Sequence, residues 1–356
     1  MNYSKTWYLN NIKWVTVLVV VLYHVCYIFN GLGILGNIPS SQSIPFFDDL
    51  MAIVYPWFMV LLFVVAGADS FYSLEKRSSK EFIESRTIKL LVPSTLGLFV
   101  YQWLTGYMGM WAGGALELIP AGIRYFVAVL SGTGPLWFIQ VLWVDSLILV
   151  LLRKINAFEK LRGRCGKANI LVLILLSIIV WLSGLVLNMP VITVYRWGIY
   201  LCSFLIGYLF FSHETVQAEI EKFALPLTVG AVILGAVWIF VYHGVNYTEW
   251  AVLESPLTVA YLWVAVLAIW GVFKKYFNTQ TTFNKFMNSV SYGVYLVHYP
   301  ILNGLCLLTS VVWHLPALAC YVIGFVCVYP ASVLVYELLK RIPVIRWLVL
   351  GISGKR

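Results

Sequence analysis

His24 sits in an apolar stretch running from Val15 to Ile28, eleven residues after Lys13. Eleven residues make almost three helical turns, so both side chains project from one helix face, about 16 Å apart along the axis. An imidazole in such a place is the natural general base for activating a hydroxyl near neutral pH. Its structural alternative is a buried neutral ring bonded to a neighbouring helix. Arg86 and Lys89 are spaced i, i+3 and share a helix face. With Lys13 they make three cations able to hold an anionic, phosphate-bearing donor, the guanidinium as a planar fork and the ammonium groups as point charges. Their alternative is simple anchoring of helix ends. Pro93 follows four residues after Lys89 and interrupts the helix, which helps to open a cavity. Two more ionisable groups lie within apolar runs, Asp145, eight residues after Trp137, and His298, two residues before Pro300. An ionisable group in such a run is expensive and marks a functional candidate. Asp145 is a candidate to orient His24, to pair with a cation or to be protonated. His298 is a candidate substrate contact or second base. Asp69 reads as a carboxylate that snorkels to the edge of its run.

The elements that must position these groups follow from composition. Apolar residues make up 61% of the 356 and charged residues 11%, against roughly 25% charged in a soluble domain. That excludes a soluble globular enzyme, a disordered chain and a secreted disulfide scaffold. The expectation is an all-α, polytopic integral membrane protein. Ten segments reach the length of a span, about 20 mostly apolar residues: 12–30, 50–72, 87–105, 136–152, 169–188, 195–211, 224–243, 256–273, 288–312 and 315–336. With the N-terminus inside, twenty-two of the 24 basic residues fall in inner segments, and only Arg124 and Arg196 fall outside. This asymmetry places both termini in the cytoplasm and accounts for the net charge of +9 without nucleic acid. The basic residues also face anionic lipid. The first apolar run lacks a small-residue cleavage site and reads as a retained helix. The loops 31–49, 106–135 and 244–255 are rich in aromatic and polar residues, among them Asn246, Tyr247, Glu249, Trp250 and Glu254, a mixture that suits a sugar or an interfacial aromatic belt. The six cysteines show no CxxC pair and no Cys/His ligand spacing, so neither a disulfide framework nor a metal site is expected.

An ordered set of short motifs resembles acyltransferase family 3, membrane proteins that O-acylate carbohydrates of the bacterial envelope. The family carries Arg, ten residues and then His in its first span, where this chain has Lys13 and His24. Its R-x-x-R motif entering the third span corresponds to Arg86-Thr87-Ile88-Lys89, followed by Leu90-Leu91-Val92-Pro93. In the second span, Leu62-Phe63-Val64-Val65-Ala66-Gly67 keeps the family's glycine and has Ala66 where Ser is usual. Gly134-Pro135-Leu136-Trp137-Phe138 and the run from Ser291 through Tyr295 and His298 to Pro300 match two later motifs.

The resemblance implies one acyltransferase domain over residues 1–356 with no fused extracytoplasmic domain, in a bacterial cell membrane. It implies an acyl-coenzyme A donor, acetyl-CoA foremost, with its phosphates on Arg86, Lys89 and Lys13. The acceptor would be a hydroxyl of an extracytoplasmic or lipid-linked carbohydrate, reached directly or through a separate extracytoplasmic acyl-acceptor protein. His24 would act as general base or as a transient acyl carrier. Asp145, Trp137, Tyr295 and His298 would contact substrate or support those that do. Lysine at 13 and 89 keeps the family's charge and gives up its bidentate geometry. The rival reading is a transporter or flippase of lipid-linked sugars, although no inverted repeat and no pair of interrupted helices is visible in the two halves of the chain.

Overall fold

Backbone surrounded by hydrocarbon must satisfy its own hydrogen bonds, and helices do this within one segment. The computed structural model describes residues 6–34, 43–189 and 194–353, and these are helical throughout apart from turns and one isolated bridge, Asn188 to Arg196. In chain order the helices are α1 (Trp7–Ile28), α2 (Pro45–Leu74), α3 (Ser79–Arg86), α4 (Val92–Gly97), α5 (Trp103–Ala112), α6 (Arg124–Ser131), α7 (Trp137–Leu152), α8 (Asn156–Cys165) and α9 (Ile170–Gly184). There follow α10 (Trp197–Ile206), α11 (Glu214–Lys222), α12 (Ala224–Tyr242), α13 (Trp250–Leu253), α14 (Pro256–Tyr276), α15 (Thr282–Leu307), α16 (Ala317–Leu339) and α17 (Pro343–Leu350).

Among the described residues, seven helices are long and apolar enough to cross a membrane: α1, α2, the stretch Gly134–Leu152, α12, α14, Thr282–Val312 and α16. An eighth arises if Trp197–Phe211 and Glu214–Lys222, which meet at 97°, form one broken span. The expected segment 169–188 is represented by α9, whose 15 residues extend only about 22 Å. The expected segment 87–105 falls on a chain of short helical pieces. There α3, α4 and α5 are joined by π-helical turns at Thr87–Leu91 and Leu98–Gln102.

Pro93 explains part of that irregularity. It cannot donate to the carbonyl of Lys89, four residues earlier. That carbonyl instead accepts from the Tyr292 hydroxyl of α15. The same exchange recurs at Pro300, where the carbonyl of Leu296 accepts from the Tyr101 hydroxyl at 2.9 Å. Each proline thus trades an internal bond for one that ties α15 to the interrupted helix.

The bundle centre is α1, α2 and α15. α2 is largely buried, while α12 and α16 are mostly exposed and present apolar flanks. α2 crosses the α10 segment through a reciprocal pair of glycines. A Cβ at Gly67 would strike the carbonyl of Phe204, and one at Gly207 would strike that of Val64. Small residues at such a crossing let two backbones touch, which is the physical use of the glycine kept in the second-span motif.

Candidate active site in two stacked cavities

The side chains singled out in the sequence gather around two cavities stacked along α1, α2, α7 and α15. The first, about 460 Å³, is lined by Lys13, Asp69, Arg77, Arg86 and Lys89 among others. The second, about 780 Å³, is lined by His24, Tyr27, Trp137, Arg196, Trp250 and Tyr299 among others. Lys13 and His24 do share a helix face, but they do not share a cavity. Val17 lines the first cavity and Val20 the second, and Leu62 and Phe138 continue the apolar layer on the first side. Tyr295 lines both cavities, and its hydroxyl bonds to the carbonyl of Pro135.

The basic cavity holds four cations against one carboxylate. Lys13 on α1 is ion-paired with the part-exposed Asp69 on α2, which partly neutralises the first cation. Arg86 is fixed from two sides. It donates to Ser70 Oγ at 3.0 Å and lies 5.0 Å from the centre of the Phe82 ring. Lys89 stands on the π-helical turn, and no carboxylate ion-pairs with it among the described residues. Arg77, which the sequence reading did not single out, adds the fourth charge and reaches Ser85 Oγ at 3.5 Å. It lies in a short exposed turn between α2 and α3, where a basic residue looks like any other positive-inside charge. The arrangement concentrates positive charge at one end of the bundle and suits an anion with several phosphates.

In the second cavity two imidazoles meet. His298 Nε2 lies 3.2 Å from His24 Nδ1, and His298 Nδ1 lies 2.8 Å from the carbonyl of Tyr295. A carbonyl only accepts, so the proton of neutral His298 is on Nδ1. Its Nε2 then has only a lone pair and accepts from His24 Nδ1–H. That leaves the lone pair of His24 on Nε2. His298 is fully buried, whereas His24 is partly exposed and lines the cavity. The pair therefore presents one accessible base whose tautomer is set from behind, the logic of a base and its orienting partner.

The remaining candidates divide. Trp137 lines the histidine cavity with its ring 5.1 Å from that of Tyr200. Asp145 is buried on α7, lines neither cavity, and leaves Oδ2 without a partner among the described residues. The side chain in hydrogen-bond reach of His24 is His298, because the α1–α15 packing brings those two helices together at this depth. Of the aromatic and polar loop residues, Asn246, Glu249 and Trp250 line the histidine cavity, Tyr247 bonds to the Tyr23 hydroxyl at 2.8 Å, and Glu254 is not among the lining residues. Residues 35–42 of the first loop lie outside the described residues. Among the described residues no group of three or more His, Cys, Asp or Glu side chains is placed to hold a metal ion.

Comparison with known proteins gives one match. The family model Acyl_transf_3, described as an acyltransferase domain, covers residues 6–337. No curated protein and no solved structure matches the chain.

Proposed function

The chain belongs to acyltransferase family 3 and is a membrane acyltransferase that moves groups other than amino-acyl groups; from that premise we propose that it carries a short acyl group, acetyl foremost, from acyl-coenzyme A to a carbohydrate hydroxyl. The donor's phosphates bind Arg86, Lys89, Arg77 and Lys13 at the basic cavity. The acceptor is an extracytoplasmic or lipid-linked sugar in the histidine cavity. His24 Nε2 takes the proton of the sugar hydroxyl as its oxygen attacks the thioester carbonyl. The C–O bond forms, the C–S bond breaks, and the proton passes from His24 to the leaving thiolate. His298 holds the His24 Nδ1 proton throughout and steadies the imidazolium that forms. In a two-step form of the same reaction, the acyl group rests on His24 between donor and acceptor.

The reading includes ten spans, with α3 to α5, α9 and the α10 segment as the three irregular ones, and both termini in the cytoplasm. The whole chain acts as one unit in a bacterial cytoplasmic membrane. The basic cavity then faces the cytosol, where acyl-coenzyme A is made. A separate extracytoplasmic protein can take the acyl group where the final sugar is out of reach. Membership of the family sets the transporter reading aside.

The observation that carries the proposal is the His24–His298 pair, open to one cavity and stacked beyond a second that is rich in cations. The test is release of coenzyme A thiol from labelled acetyl-coenzyme A by purified protein. His24→Ala and His24→Gln should both abolish release, because an amide cannot take up a proton at neutral pH. Donor binding and thermal stability should stay near those of the wild type. Thiol release by His24→Gln at close to the normal rate would refute the base. Acid-quenched label on the protein, absent in His24→Ala, selects the two-step form.

A further inference from the structure

The cations of the basic cavity follow the charge pattern of the chain, and Arg196 breaks it. It is one of only two basic residues that the sequence places away from the inner segments. It is 5% exposed and lines the histidine cavity. Among the described residues its side chain makes one hydrogen bond, from Nη2 to the carbonyl of Leu253, at a long 3.3 Å. Its Nε is buried and has no partner among the described residues.

No carboxylate compensates it. All 15 acidic residues of the chain lie within the described part. Among the described residues none ion-pairs with Arg196. The cavity has a single acidic lining residue, Glu249, which is exposed. A guanidinium stays protonated, and a buried charge without a counter-ion is strongly destabilising. Nor is anchoring a sufficient reason for it, since a long hydrogen bond to one carbonyl does not need a permanent charge. Arg196 also occupies the N-cap position of α10 without a side-chain capping bond, and the helix dipole adds positive potential at the same point.

We infer that Arg196 binds an anionic group, a carboxylate or a phosphate, on the acceptor that enters the histidine cavity. The inference rests on the proposed function for the presence of an acceptor there and adds its charge. The planar fork of the guanidinium fits both groups bidentately. Trp137, Tyr200 and Trp250, which line the same cavity, offer faces for a sugar ring. Two sources share this chemistry, an acidic sugar within a glycan and the phosphate of a lipid-linked sugar.

The full-length protein in detergent is titrated with methyl glucuronoside, glucose 1-phosphate and the neutral methyl glucoside, read by intrinsic tryptophan fluorescence. Wild-type protein should bind the two anionic probes more tightly than the neutral one. Arg196→Gln should weaken the anionic probes roughly ten- to a hundredfold and leave the glucoside unchanged. Arg196→Lys should recover part of the loss, keeping the charge without the fork. A stronger response to the glucuronoside identifies an acidic glycan residue as the source, and a stronger response to the 1-phosphate identifies a lipid-linked sugar. Equal binding of charged and neutral probes, no binding of either anion, or equal losses in Arg196→Gln overturns the inference. In the same preparations, Arg196→Gln should leave acetyl-coenzyme A binding unchanged, because Arg196 does not line the basic cavity. If thiol release proves independent of His24 while the anionic preference follows Arg196, the base falls and the anion site stands.

Discussion

His298 makes the sharpest demand on the reasoning, because it is argued to act through another residue. Replacing it by alanine deletes the lone pair that accepts His24 Nδ1–H over 3.2 Å. Two losses follow. His24 is left with its hydrogen bond to the Val20 backbone alone, which weakens its preference for the tautomer that leaves Nε2 bare to act as base. The imidazolium formed during transfer also loses a hydrogen bond. A bond to a charged group is worth about 1.5–3 kcal/mol, which is roughly a 10- to 150-fold fall in rate. The tautomer shift adds to this. His298→Gln offers an amide oxygen as acceptor and should lie between alanine and wild type. The assay is the initial rate of thiol release at saturating donor, with the KM for donor measured alongside. The rate should fall and the KM should hold, since no donor-side residue has changed. The double variant His24→Ala/His298→Ala should be no slower than His24→Ala, because the partner has nothing left to orient. His298 is fully buried and its removal leaves a hole, so thermal unfolding in detergent is followed for each variant. A rate for His298→Ala within threefold of wild type, or additive losses in the double variant, refutes the pairing.

Three further outcomes are expected. Arg86→Ala should weaken acetyl-coenzyme A binding by about 1.5–3 kcal/mol but weaken a truncated pantetheine thioester much less; equal losses, by calorimetry, would assign Arg86 to folding. Single cysteines at Ser79 and Asn284 should react with impermeant reagents only from the cytoplasmic face, and one at Ala121 only from the other; labelling of Ser79 from outside would overturn the donor geometry with the topology. At Glu159 on α8, partial burial opposes the charge, but hydrogen bonds from Tyr208, Arg162 and Arg153 outweigh it and hold the carboxyl below the usual range. Its stabilising contribution is therefore complete above the ordinary carboxylate range and is lost as pH falls through the lowered value; the Tm advantage of wild type over Glu159→Gln should be full at neutral pH and shrink as pH falls below the ordinary carboxylate range, and an advantage that does not shrink with acidification would show that the carboxylate's charge is irrelevant.

What the sequence disclosed and withheld has a physical boundary. Helical class and the grouping of Arg86 with Lys89 are local matters, set by apolar run length and by a spacing of three. The partners of those groups are not local. His24 meets His298 across 274 positions and Lys13 meets Asp69 across 56, and no periodicity carries such information. The eleven-residue spacing of Lys13 and His24 was legible as a shared face. That face passes through an apolar layer, and only packing shows that the layer divides one cavity into two. Pro93 and Pro300 were legible as breaks. The hydroxyls of Tyr292 and Tyr101 that answer them were not, because each comes from another helix. Asp145 shows the converse. Its depth in an apolar run was real, but depth alone does not say which neighbour a side chain faces.

The division into two cavities makes sense as a separation by charge. A polyphosphate cannot enter an apolar layer without losing its hydration, and ionised groups at membrane depth are correspondingly rare. An acyl group on an uncharged thioester arm faces no such barrier. On the proposed reading, four cations at one end would restrain the charged part of a donor, while the layer of Val17, Leu62, Phe138 and Tyr295 would admit only what is neutral. Tyr295 stands on both sides of this boundary. Its side chain borders the two cavities, and its carbonyl takes the His298 proton that fixes the tautomer of His24. The residue that borders both cavities is thus one hydrogen bond removed from the histidine pair. A substitution that widened the layer by moving the α15 backbone would loosen that base as well, whereas one that trimmed only the ring would not. On the proposed reading, the tyrosine at this position serves the partition through its side chain and the base through its main chain.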